Sequence, residues 1–138
     1  MRIVDLKEVE YIAFSLAQAL LSFNEPIPGF STRFPNILES CLATPFQSFS
    51  GKSLYSGLIP KASILFYLMI KNHPFQNGNK RIAMTTLFVF LYKNKKWLTV
   101  DTQELYNFTI WIARSPREVK EESVRAIEKF LRSHIISL

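Results

Sequence analysis

The stretch His73-Pro74-Phe75-Gln76-Asn77-Gly78-Asn79-Lys80-Arg81 concentrates the residue types that can do chemistry in this chain. Proline disfavours helical geometry in the residue before it, so Pro74 turns the His73 imidazole off the end of the preceding helix. Asn77-Gly78 is a turn signal. A helix starting there points its first free N–H groups, from about Gly78 to Arg81, back toward the loop. Those donors, the positive end of the helix dipole and the charges of Lys80 and Arg81 make an anion site, and a phosphate held in it lies close to His73.

Imidazole is the side chain whose ordinary titration falls near neutrality, which makes His73 the natural general base of the segment. From Ser40 to Val100 there is no Asp or Glu, while Lys52, Lys61, Lys71, Lys80, Arg81, Lys93, Lys95 and Lys96 contribute +8. Neighbouring cations such as Lys71, Lys80 and Arg81 favour the neutral, proton-accepting ring. A neutral imidazole beside a bound phosphate can take the proton of an attacking hydroxyl. That is the minimal equipment for phosphoryl or nucleotidyl transfer to an alcohol, where positioning and charge neutralisation supply most of the catalysis. Each feature alone is common at an ordinary helix end, and it is their concurrence in nine residues that points to chemistry.

The elements that must position these residues read as helices. Asp5 and Glu8 form a capping box that opens a first helix, with Leu6, Val9, Ile12, Ala13, Leu16 and Leu20 as its buried stripe and its end near Phe23. Asn24 to Pro35 reads as loop, followed by a short helix from Asn36 to Ala43. Phe46 to Tyr55 alternates bulky and polar residues around Ser-Gly-Lys, which suits a hairpin and is the one plausible strand region. A helix from about Ser56 to Asn72 follows, with Pro60 tolerated in its first turn. The next helix, from Gly78 to about Lys95, is apolar or Thr on every face between Ile82 and Leu91 and belongs in the middle of a bundle.

Asp101 with Glu104 repeats the capping box and starts a helix carrying Leu105, Phe108, Trp111 and Ile112. Ser115, Pro116 and Glu118 open the last helix, with Val119, Val124, Ile127, Phe130 and Leu131 inward. The expectation is a single all-α domain over residues 1–138, about six helices around one central apolar helix.

Composition excludes several classes. The 138 residues are 48% hydrophobic and 20% charged, richer in apolar side chains than a disordered chain. The longest apolar stretches, Ala62 to Ile70 and Ile82 to Tyr92, fall short of the ~20 residues of a membrane-spanning helix. Acidic residues near the N-terminus interrupt any secretory signal, so a cytoplasmic protein is the default. One cysteine, Cys41, and two distant histidines exclude disulfide scaffolds and zinc modules. Cys41 and Trp111 read as core, and His134 as exposed and idle. Lys93, Lys95, Lys96 and Trp97 read as a solvated helix end complementing the dipole rather than a nucleic-acid patch.

The motif His73 to Arg81, continued by Ile82-Ala83, resembles the signature of the Fic/Doc (Fido) superfamily in its death-on-curing form. The likeness extends to Leu38 through Pro45, Leu54-Tyr55, Lys61-Ala62 through Lys71-Asn72, Phe88 to Asn94 and Ile112-Ala113. It covers about residues 26 to 130. The resemblance implies a helical Fido fold and a transferase that moves part of a nucleoside triphosphate, such as ATP, onto a protein hydroxyl. Under it, His73 is the base, Phe75 anchors the loop, Gly78, Asn79, Lys80 and Arg81 bind phosphates, and the hairpin Phe46 to Tyr55 is similar in position to a flap that aligns the target.

AMP-adding relatives carry glycine where Lys80 stands, and usually another Arg where Met84 stands. Both departures point toward the Doc form, for which the resemblance implies transfer of the terminal phosphate to a Ser or Thr of elongation factor Tu and inhibition by a small Phd-like antitoxin. Asn77 stands where the family usually has Asp or Glu, the expected magnesium contact. An amide oxygen is a weaker ligand for that hard cation, so Mg2+ is expected to arrive mainly on the nucleotide's phosphates. The alternatives are AMP transfer and a module that binds nucleotide or antitoxin without efficient chemistry.

Overall fold

The computed structural model describes residues 1–20, 27 and 29–138. Among them are six helices: α1 (residues 6–20), α2 (Pro35–Ala43), α3 (Leu58–Lys71), α4 (Asn79–Lys93), α5 (Thr102–Arg114) and α6 (Lys120–His134). The expected all-α architecture is therefore observed. No described helix is long and apolar enough to cross a membrane. The expected end of the first helix near Phe23, and the loop positions 24–26 and 28, lie outside the described residues.

α1 begins as read, with Glu8 N–H donating to Asp5 Oδ1 at 2.9 Å and Asp5 N–H donating to Glu8 Oε1 at 3.0 Å. Its middle differs. Val9–Ala13 is a π-helical turn, closed by the Phe14 N–H on the Val9 carbonyl. One extra residue in a turn rotates everything after it relative to a regular helix. Phe14 and Ala17 consequently face inward beside Val9 and Ala13, while Ile12, expected in the stripe, is 44% exposed.

The bundle centre is a pair of helices rather than one. α4 is buried from Ile82 to Leu87 as its all-round apolarity requires, but every residue of α3 from Lys61 to Lys71 is buried as well. α3 packs against α4, α5, α6 and α2, and α1 lies along α4. Asp101 caps α5 by accepting from the Glu104 N–H at 3.3 Å, but the Glu104 carboxylate does not return the bond and lies 3.8 Å from His134 Nε2. Ser115 is not the cap of the last helix: its hydroxyl donates to Ile112 O at 2.6 Å and closes the end of α5. A 3-10 turn, Arg117–Val119, precedes α6, which buries Ser123, Ile127 and Leu131 and leaves Val119 at the surface.

The hairpin forms where alternation placed it. β1 (Ser48–Phe49) pairs with β2 (Lys52–Ser53) antiparallel around Ser50 and Gly51, both with positive φ, the backbone a two-residue hairpin turn demands. A second pair was not legible in the sequence: β3 (Lys96–Leu98) pairs with β4 (Ile135–Ser137), joining the chain after α4 to the chain after α6. Trp111, read as core, is 54% exposed and stacks on Phe108 at 5.8 Å. His134 is half-buried, its ring 4.3 Å from Phe130 and Nδ1 2.8 Å from Phe130 O.

Candidate active site

α3 and α4 are consecutive and packed side by side, and residues 72–78 connect them at one end of the bundle. His73 is exposed and has φ +50°, inside the left-handed region. Pro74 was expected to turn it out of helical geometry, and the backbone does so by entering the left-handed region. A left-handed non-glycine residue costs roughly 1–2 kcal/mol and persists only where its surroundings impose it.

Those surroundings are specific. Pro74 is buried and its carbonyl accepts from the Phe34 N–H at 2.9 Å, tying the loop to the start of α2. Phe75 is 1% exposed, with its ring centroid 5.1 Å from Phe14 and 6.1 Å from Phe30. Its ring packs against both of those aromatics, and the π turn in α1 is what brings Phe14 to face it. Asn79 closes the loop from the other side, its Oδ1 accepting from the Phe75 N–H at 3.0 Å and its Nδ2 donating to Phe75 O at 2.9 Å.

Gly78 adopts φ 73° and ψ 9° immediately before α4, a left-handed position that suits glycine. The first intrahelical bond of α4 is Ile82 N–H to Gly78 O at 3.0 Å, so the amides of Asn79, Lys80 and Arg81 have no carbonyl within the helix to serve. These are the amides that the sequence reading expected to face an anion. The Asn79 side chain is committed to Phe75, which leaves its backbone amide as its contribution to an anion. The Arg81 guanidinium is 7% exposed and donates to Ala17 O, fastening the first turn of α4 to α1, while Lys80 is half-buried.

Lys71, expected to act on His73 by charge, does something else. It is 8% exposed and its ammonium donates to Ala113 O at 3.1 Å and to Ser115 O, at the C-terminus of α5. Lysine in the last turn of a helix just before a break was the available signal, but it pointed to capping of its own helix rather than another.

The hairpin is tied to the start of α3. Its base is held by Lys61, whose ammonium donates to Ser53 Oγ at 3.1 Å and to Tyr55 O, and Phe46 packs edge-on against Phe90 at 6.1 Å. Lys61 precedes His73 by almost the whole of α3, a rise of roughly 18 Å. The residues expected as a flap therefore attach at the far end of α3 from the candidate base.

Asn77 and Gln76 are exposed. Asn77 offers one uncharged oxygen, no carboxylate lies between Ser40 and Val100, and no group of three or more His, Cys, Asp or Glu among the described residues could hold a metal. Among the described residues, the side chains of this loop do not fit a magnesium ion by themselves. Cys41 is buried, and burial pushes its thiol up to about 12, so it is an inert core residue as read and not a nucleophile.

The lysines after α4 do not form a continuous patch. Lys93 pairs with Glu8 at 2.6 Å, Lys96 donates to Ser137 Oγ at 2.7 Å, and Trp97 packs on Phe88 at 4.8 Å. A groove of about 950 Å3 opens between α1 and this end of α4, lined by Ile12, Leu16, Phe88, Tyr92 and Trp97 with Arg2 and Lys95 among its cations.

Known proteins place this arrangement. Toxin Doc of Mycolicibacterium smegmatis (strain ATCC 700084 / mc(2)155) is 32% identical over 65 residues, 47% of this chain and 50% of that protein. The chain thus spans about half the length of the curated relative it matches. No solved structure gives a significant match. The model of the Fic/DOC family matches residues 4–91, from just before α1 to the last turn of α4 and including the whole His73 to Arg81 loop. With that match over more than half its length, the chain belongs to the Fic/DOC family.

Proposed function

We propose that this protein is a Doc-type toxin of a toxin–antitoxin pair, and that it phosphorylates a protein Ser or Thr hydroxyl in the cytoplasm. The observation that carries the reading is an exposed imidazole at His73, held on a left-handed backbone next to a helix start whose amides have no helical acceptor. The likeness to a protein named Toxin Doc supports the toxin class. In the step itself, the His73 ring takes the hydroxyl proton as that oxygen attacks the terminal phosphorus of a nucleoside triphosphate such as ATP. The bond to the bridging oxygen breaks, and the nucleoside diphosphate leaves. Gly78, Asn79, Lys80 and Arg81 hold phosphate oxygens through the α4 N-terminus. Mg2+ would be carried mainly by the nucleotide's own phosphates, with the exposed, uncharged Asn77 amide oxygen as a weak candidate contact.

Elongation factor Tu is the proposed acceptor and a small Phd-like antitoxin the inhibitor. The groove between α1 and α4 supports the second assignment: its apolar floor and basic rim suit an amphipathic acidic helix. Transfer from γ-labelled ATP to purified elongation factor Tu tests the reading. Label that disappears in His73→Ala supports it. Equal labelling in that variant removes His73 as base, and label from the α-position indicates AMP transfer instead. The neutral Asn77 favours one second reading, a family member that binds nucleotide or antitoxin with weak chemistry, and absence of transfer at saturating Mg2+ would establish it.

A further inference from the structure

Two helix ends exchange side chains directly behind His73. The Lys71 ammonium, on the last residue of α3, donates to the carbonyls of Ala113 and Ser115 at the end of α5. Arg117, two residues past Ser115, donates from Nη2 back to the Lys71 carbonyl at 3.0 Å. The last four carbonyls of a helix have no partner in the helix. Here Lys71, on α3, serves carbonyls at the end of α5, and Arg117, in the 3-10 turn that follows α5, serves the last carbonyl of α3, each cation sitting at the negative end of a helix dipole.

We propose that Lys71 and Arg117 form a reciprocal clasp that positions His73 for proton abstraction. The inference rests on the reading of His73 as the base. Asn72 completes α3 with its N–H on Leu68 O at 2.9 Å, and the chain then enters the left-handed turn at His73. Two restraints bracket that turn: the clasp before it and the Phe34–Pro74 bond after it. A strained backbone needs fixed points on both sides, because with either one loose the residue relaxes to a lower-energy conformation. Lys71 is almost fully buried and faces no carboxylate in its contacts, only carbonyls, so its position is defined by directed bonds. The phosphate-binding start of α4 is held separately by the Phe75–Asn79 bonds, which makes the two functions separable.

The test uses the full chain with Lys71→Met, which keeps the apolar stem and removes the donors, Lys71→Arg, which keeps them, and Arg117→Gln, which removes the guanidinium at an exposed residue. The expected result for Lys71→Met is a fall in kcat of roughly 10- to 100-fold with KM for ATP within about twofold, since misplacing a catalytic group affects the reacting geometry more than binding. Lys71→Arg recovers most of the rate, and Arg117→Gln shows a smaller fall of the same kind. In parallel, the amide-to-α proton coupling of His73, read by NMR, leaves its left-handed value in Lys71→Met and Arg117→Gln. Folded variants with an unchanged His73 coupling and kcat within twofold of the parent overturn the clasp. If the parent protein transfers no phosphate, the catalytic reading fails, and the His73 coupling still decides whether the clasp sets that backbone.

Discussion

The side chain of Asn79 and the main chain of Phe75 bond to each other in both directions, at 3.0 Å and 2.9 Å, across the turn between α3 and α4. A side-chain amide carries a separate acceptor and donor, and here its oxygen accepts from the Phe75 N–H while its nitrogen donates to the Phe75 carbonyl. Asn79→Ala leaves both Phe75 backbone groups buried without partners and is expected to cost about 2–4 kcal/mol. Urea unfolding measures this, and Asn79→Asp, which keeps the acceptor only, should fall between the two.

Phe75 itself fills the space between Phe14 and Phe30. Phe75→Ala should destabilise by about 3–5 kcal/mol, as truncation of a fully buried aromatic does. Thermal unfolding with and without ATP separates this structural loss from loss of nucleotide binding.

Asn77 is exposed and takes no part in the packing of the loop. Asn77→Asp should therefore leave the melting temperature within a degree or two of the parent while increasing magnesium-dependent transfer, because a carboxylate is the better ligand for that cation. A Mg2+ titration of the transfer rate checks it, and no gain would mean that the amide suits this site.

Burial raises the Cys41 thiol from 9.0 to about 12 and raises Tyr67 in the same direction, with Arg117 partly offsetting the burial of the phenol. The native state thus keeps protons that the unfolded chain loses from about pH 9 upward. Stability is full below that pH and falls as pH rises toward about 12. Cys41→Ala should flatten this alkaline loss, and the Cys41 thiol should resist alkylation at pH 9 until denaturant is added.

Tyr92 lines the groove between α1 and α4 and is 64% exposed, so its replacement does not disturb the core. Tyr92→Glu should weaken a Phd-like antitoxin by about tenfold or more through loss of apolar contact and like-charge repulsion, while phosphate transfer is retained. Calorimetric titration against the antitoxin and the labelling assay together check both halves.

Much of this was legible in the sequence because the controlling signals are local. The Asp5–Glu8 box, the Ser50-Gly51 turn, the break at Pro74 and the all-round apolarity of Ile82 to Leu91 each act within a few residues. What stayed hidden depends on partners distant in the chain. Lys71 finds its acceptors more than forty residues away, and β3 and β4 are joined only after α5 and α6 have folded back. The hairpin was found but its place was not: nothing local reveals that its base attaches to Lys61, at the end of α3 remote from His73. Trp111 misled because helical spacing marks a face without saying whether another element covers it.

The five residues of the π turn in α1 carry a consequence for how this protein can vary. Deleting a single amino acid between Val9 and Ala13 would restore regular winding and swing Phe14 away from Phe75 and the Ala17 carbonyl away from Arg81. The loop sixty residues downstream would then lose two supports without any change in its own sequence. In this chain the length of the first helix and the seating of the His73 to Arg81 loop are therefore a single constraint.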